Sequence, residues 1–336
     1  MGCASRRQYL LVMAALLATP LHAWAQSQAQ LRKIAVLASE GAVQSDCTIT
    51  PHSASWSAFV AGLSSFGYTH GQTVMLQCRS AVGKHQQLDA LAAELVKLRP
   101  AVLVAFAAPA SLAAKRATST IPIVSVYTAD PVALGLVSSL ARPGGNVTGL
   151  SALASDYVAK SLQILKDLAP QTSRVGVLGQ GINPTFEIYR AELEPAAKSL
   201  GLLLEFGTVD TVTEIEPTLQ HLRTRGADAF LVMHQPFTFD RRENFVNAIA
   251  RHKLPAMYGS KEAVEMGGLA SYAVSVPAVF RRSAYFVDKI LKGANPADIP
   301  VEQPINFQMA VNLKTAKAIG LKVPQSVLLR ADRVVE

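Results

Sequence analysis

Six short segments of this chain carry residues that could do chemistry, and each follows directly on an apolar, β-rich run. They are Ser39-Glu40-Gly41, Ala107-Ala108-Pro109-Ala110-Ser111, Thr128-Ala129-Asp130-Pro131, Gln180-Gly181-Ile182-Asn183-Pro184, His234-Gln235-Pro236-Phe237 and Gly259-Ser260-Lys261-Glu262. In open parallel sheets, ligands lie outside the carboxyl ends of the strands, where loops meet helix N-termini with free N–H groups. Backbone donors, a few polar side chains and an occasional aromatic are what a small-molecule pocket presents. The expected contacts are Ser39, Glu40, Ala108, Pro109, Asp130, Gln180, Asn183, Gln235, Phe237 and Ser260, with Tyr272 added from a later chain crossing. Asp130 can accept a ligand ammonium or hydroxyl, or cap the following helix, and the two roles are compatible.

No enzymatic constellation assembles from the same residues. The first strand is not followed by Gly-x-Gly-x-x-Gly, and there is no Walker loop, Gly-x-Ser-x-Gly elbow or His-Glu-x-x-His. The seven histidines are scattered, and His234, at a strand end, reads as a satisfied polar residue rather than a base. Cys47 and Cys78 both fall in the first half, whereas a two-cysteine racemase needs one thiol from each side of its cleft. The reading is therefore a binder without catalytic residue, metal or cofactor. A two-lobed α/β enzyme is the rival that turnover of ligand would reveal.

The elements that must position these loops alternate regularly. Strands are expected at 34–37, 74–78, 101–105, 123–127 and 147–150, with helices near 53–66, 86–98, 110–117 and 132–140 between them. The series then restarts: helices 156–168, 185–200, 213–223 and 241–252 alternate with strands 175–178, 202–206, 229–233 and 256–258. Two such series mean two Rossmann-like α/β lobes with parallel sheets. Residues 267–272 read as a connection, followed by a helix over 277–291, a strand near 305–311 and a helix over 313–319. That remainder is too short for a third lobe, so it returns to the first two. The expected division is 31–150 plus about 272–300 for one lobe and 151–271 plus about 301–336 for the other. Three crossings would form a bending hinge.

With 336 residues, half of them hydrophobic, the chain can bury two cores. Its formal charge of +8 is dispersed among acids, which argues against nucleic acid as a partner. At the N-terminus, Arg6-Arg7, an apolar stretch from Tyr9 to Leu21 and Ala23-Trp24-Ala25 form an export signal cleaved after Ala25. Ser5-Arg6-Arg7-Gln8-Tyr9-Leu10 resembles a twin-arginine address. Cleavage takes the charge to +6, and no later run is long enough to insert stably in a membrane. Cys3 precedes the apolar stretch, which argues against a lipid anchor on the mature N-terminus. An oxidising, periplasmic compartment favours a Cys47–Cys78 disulfide, the alternative being two unpaired thiols.

The chain resembles the ABC transporter substrate-binding proteins related to tryptophan- and phenylalanine-binding components. The resemblance rests on Ile121-Pro-Ile-Val124, Asp130-Pro131-Val132 with Gly135-Leu136-Val137, Arg142-Pro-Gly-Gly-Asn-Val-Thr-Gly149 and Gly267-Gly268-Leu269 with Ser271-Tyr272. Ile290-Leu-Lys-Gly293, Pro300-Val-Glu-Gln-Pro304, the run Asn312 to Leu321 and Arg330-Ala-Asp332 complete it. It implies a type I periplasmic-binding architecture, a small-molecule ligand of the amino-acid or aromatic and organic acid class, capture by hinge closure, and importer membrane subunits as partners. Relatives often carry Gly-Thr-Pro-Ala where this chain has Ala107-Ala108-Pro109-Ala110, and Ser-Tyr-Gly where it has Ser271-Tyr272-Ala273. An Asn-rich loop becomes Gln180-Gly181-Ile182-Asn183-Pro184. Two rivals share the fold. A sensory protein would present its closed shape to a receptor, and a DNA repressor would need a helix-turn-helix before Leu31, where the export signal stands.

Overall fold

Apolar runs with few interruptions make the strands, and most are buried along nearly their whole length, as strands covered on both faces must be. The computed structural model describes residues 31–41, 47–48, 54–152 and 157–336. The export signal, its cleavage site and Cys3 lie outside them. The first sheet comprises β1 (Arg32–Ala38), β2 (Val74–Ser80), β3 (Val102–Phe106), β4 (Ile123–Thr128) and β5 (Val147–Ser151), all parallel in the order β2-β1-β3-β4-β5. Helices α1 (Ala54–Ser65), α2 (Leu88–Lys97) and α3 (Ala108–Ala117) cover it. Alternate β1 residues face opposite cores: Ile34 and Val36 pack with Trp56 and Phe59, while Ala35 and Leu37 pack with Leu95 and Ala113.

The second sheet holds β6 (Arg174–Gly179), β7 (Leu203–Thr208), β8 (Ala229–Val232), β9 (Ala256–Tyr258), β10 (Ala270–Val274), β11 (Phe307–Asn312) and β12 (Arg333–Val335), in the order β12-β11-β10-β9-β8-β6-β7. Only the β10–β11 pair is antiparallel. Its helices are α4 (Tyr157–Leu168), α5 (Thr185–Ser199), α6 (Ile215–Thr224), α7 (Pro236–Asp240), α8 (Arg242–His252) and α9 (Lys261–Glu265).

The chain then leaves the second sheet. Helix α10 (Val276–Leu291), capped by Ser275 through the Ala278 N–H, lies against α1 of the first lobe. Gly62 permits this contact, because a Cβ there would stand 2.6 Å from the Arg281 carbonyl and 2.9 Å from the Ala284 Cβ. Tyr68 adds a hydrogen bond to Asp288 at 3.0 Å. Residue Glu302 bridges Leu150 at the β5 edge before the chain returns through β11 to α11 (Leu313–Ala318) and α12 (Gln325–Leu328). The polypeptide thus passes between the sheets three times. Tyr157, Tyr272 and Phe307, each beside one of these passages, stack with centroids 5.2–6.4 Å apart and planes within 20–23°.

Three expectations change. Residues 132–140 are turns, not a helix: Gly135 takes φ +65° after a single turn, and Leu136 and Val137 drop into the core. The connection expected over 267–272 includes most of β10, which pairs with both β9 and β11, so the passage lies at Ser275 rather than near 272. Val301 and Glu302 remain with the first lobe. Elements α12 and β12 are additional. Cys47 and Cys78 form a disulfide, and the Trp56 indole N–H donates to the Cys47 carbonyl at 3.3 Å.

Candidate functional site

Between the carboxyl ends of the two sheets lies a cavity of about 490 Å³. From the first lobe it receives Ser39, Glu40 and Gly41 after β1, Phe106 and Ala107 at the end of β3, and Tyr127 of β4. The second lobe contributes His234, then Phe239 to Glu243 around the α7–α8 junction, and Glu262 and Met266 beyond β9. The N-terminal end of α10 closes one side with Val276, Pro277 and Phe280.

Local backbone features aim these side chains. β4 shifts register between Val126 and Thr128, and Tyr127 at the irregularity has φ +62°. The displaced residue is thereby turned out of the alternation and into the cleft. Ala107 (φ +72°, ψ 165°) occupies a region that glycine enters freely, at a cost of about 1–3 kcal/mol for other residues. Beneath the two loops Ser111, Ser125 and Thr128 join their hydroxyls at 2.7–3.3 Å, a buried network that holds β3 and β4 ends in register.

Aromatic faces form much of the wall. Phe106 and Phe280 stack at 4.4 Å, Tyr127 lies 4.8 Å from His234, and His234 lies 5.4 Å from Phe239. The Arg242 guanidinium covers the other environment of Phe239, 4.7 Å from its centroid, and donates from Nη1 to the Phe239 carbonyl at 2.7 Å. Its buried Nε has no partner among the described residues.

Burial dominates the electrostatics. It lowers the His234 pKa to about 4, against the Gly259 carbonyl, which accepts from Nδ1 and favours the charged ring, while Arg242 lowers it further. His234 is therefore neutral at pH 7, with Nε2 left as an acceptor. Asp240 is pushed up to about 6, first by its enclosure and then by Glu40, against the pull of Arg241, Arg242 and the Gly41 N–H. Its surface still meets the water of the cleft. Glu40 is almost buried, 3.1 Å from His85 Nε2. Burial first holds the Tyr127 phenol well above its ordinary pKa, so it remains a donor.

The residues expected as contacts divide. Ser39 and Glu40 line the cavity. Ala108, Asn183 and Gln235 border a narrow crevice that shares Tyr127 and His234 with it. Ser260 borders another beside His234 and Arg242, its Oγ accepting from the Ala263 N–H at 3.4 Å. Pro109 is buried at the start of α3, and Gln180 is buried with its N–H donated to the Gln235 side chain. Asp130 accepts from the Val132 and Ala133 N–H groups at 2.9 and 3.0 Å, capping the turn that stands where a helix was expected. Phe237 sits in the core edge-on to Phe245, and Tyr272 lies in the stack at the passages. Sequence reasoning missed Phe106, Tyr127, Phe239, Asp240, Arg241, Arg242 and Phe280. Among the described residues no group of three or more His, Cys, Asp or Glu could hold a metal, and no helix is long and apolar enough to cross a membrane.

The family model described as ABC transporter substrate binding protein matches residues 51–335. A tyrosine-binding protein of Clostridioides difficile is 25% identical over 273 residues, covering 79% of this chain and 76% of its own. Among solved structures, an ABC domain from Streptococcus pneumonia in complex with L-Trp superposes with TM-score 0.82 at 26% identity, over 91% of this chain and 100% of that one. A conserved domain protein from Vibrio cholerae gives the same TM-score and identity over 90% and 99%.

Proposed function

Since the chain belongs to the ABC transporter substrate-binding protein family, we propose that it captures a small amino acid-type molecule in the interlobe cleft and delivers it to importer membrane subunits. The observation that carries this reading is the cavity itself, whose walls come from both lobes and whose volume suits a single small solute. A ligand touching both walls stabilises the closed form by its differential affinity, and closure is what the membrane subunits would sense. No bond is made or broken.

Aromatic amino acids are the favoured class. The relatives are a tyrosine-binding protein and a domain in complex with L-Trp, and Phe106, Phe280, Tyr127 and Phe239 offer ring faces of matching kind. The moving units are the two lobes, with the three crossings of the chain between them as hinge. The N-terminal segment supports a periplasmic location, with Ser5-Arg6-Arg7-Gln8-Tyr9-Leu10 resembling a twin-arginine address and cleavage proposed after Ala25.

A thermal-shift screen of amino acids, aromatic acids and small organic anions tests the reading. L-tryptophan or L-tyrosine at about 100 times its dissociation constant should add about 2.7 kcal/mol to stability. A screen in which no small molecule raises the melting temperature would count against solute capture. Shifts confined to non-aromatic solutes would retain capture and remove the aromatic class.

A further inference from the structure

The chain carries 32 basic against 24 acidic residues, yet its cavity reverses that balance. Glu40, Asp240, Glu243 and Glu262 line it against Arg241 and Arg242, and no lysine is among the described residues that line it. Two of the carboxylates stand on opposite walls, Glu40 after β1 and Asp240 at the end of α7.

Both are held in place. Glu40 faces His85 Nε2 at 3.1 Å, and its own carbonyl accepts from Ser80 Oγ at 2.7 Å. Asp240 takes a hydrogen bond from the Gly41 backbone N–H of the other lobe. Two negative groups fixed across one gap, Glu40 buried and Asp240 at its exposed side, repel each other, and Glu40 accordingly contributes to the raised titration of Asp240. A cation between them removes that repulsion and gains two charge-assisted hydrogen bonds, whereas an anion adds to it.

We infer that the ligand's ammonium is held between Glu40 and Asp240, so that the cleft accepts amino acids and the corresponding amines and rejects deaminated acids. His85 is a positioning residue for Glu40. The remaining charged groups facing the pair are Arg241, Arg242, Glu243 and Glu262. The Arg242 guanidinium, on the cavity wall, offers a cationic partner for the carboxylate of a zwitterion, which ranks the amino acid above its amine. The inference rests on the cleft's being a solute site and makes its polar specificity definite.

Calorimetric titration of the exported protein with matched trios tests it. The aromatic trios are L-tryptophan, tryptamine and indolepropionate, and L-tyrosine, tyramine and hydroxyphenylpropionate; the aliphatic trio is L-leucine, isoamylamine and methylvalerate. In the trio that binds, the amine should retain measurable affinity and the deaminated acid none. An acid that binds as tightly as its amine overturns the inference while leaving solute capture intact. Binding confined to the aliphatic amine removes the aromatic class and keeps this inference. No binding by any amine overturns it.

Glu40→Gln and Asp240→Asn should each weaken amine binding about 10- to 100-fold, with unchanged circular dichroism. His85→Gln, which retains a donor, should bind better than His85→Ala; equal affinities would remove His85 from the positioning role. Amine affinity should also fall as pH drops below about 6, where Asp240 takes up its proton.

Discussion

Asp240 and His234 line one cavity, yet enclosure moves their titrations in opposite directions along the pH scale. Asp240 rises from 3.8 to about 6, so the native state binds the proton that the unfolded chain has released. Its contribution to stability is present below about 4 and lost as pH rises through 6. His234 falls from 6.5 to about 4, so its contribution is present above 6.5 and lost as pH falls through 4. The two slopes oppose each other in the same window. The Asp240→Asn variant should expose the histidine's slope, losing about 3 kcal/mol of stability between pH 6.5 and 4 where the wild type changes less. Melting curves across that range check this, and parallel curves for the two proteins would rule it out. At this scale the sequence was partly readable. Ser39 and Glu40 follow a strand and line the cavity, because the ends of parallel strands must face it. Phe239 and Asp240 were missed because the short helix α7 carries the wall one turn beyond the loop. Tyr127 was missed because its direction depends on a backbone irregularity that no residue spacing announces.

The contact of α1 with α10 shows what an element must give up to accept a distant partner. A glycine in a helix interior costs about 1 kcal/mol relative to alanine, and Gly62 is kept where the Arg281 backbone comes too near for any side chain. Gly62→Val should lower stability by about 2 to 3 kcal/mol through overpacking, read as a lower urea midpoint with unchanged slope. An unchanged midpoint would mean that the two helices part without cost. The alternation of strands and helices was legible along most of the chain, since buried parallel strands and amphipathic helices have distinct periods. It failed where a local cause overrode composition. Residues 132–140 are apolar enough for a helix, but Gly135 reverses the backbone sense after one turn. β10 was hidden behind Gly267-Gly268, whose turn-like composition masks the strand that follows.

For the whole molecule, the two sheets and the path of the chain between them decide what can move. Saturating L-tryptophan or L-tyrosine should reduce the radius of gyration in small-angle scattering. Binding heat without any change in scattering would leave capture standing and remove hinge closure. The fold class was readable because two complete βα series occur in tandem, whereas the exact passages were not, because a chain returning to an earlier lobe needs no special composition. The three rings at those passages carry a further consequence. Tyr157, Tyr272 and Phe307 belong to three separate stretches of chain, and their stacking fastens all three at one spot on the second lobe, with Phe307 also packed on the first lobe's core. Stretches tied at a common root would flex together in the proposed closure rather than independently. Were the lobes to close as proposed, the rings would restrict the many ways two bodies on three tethers can wander to few, and the cavity would reach its shut geometry with less searching.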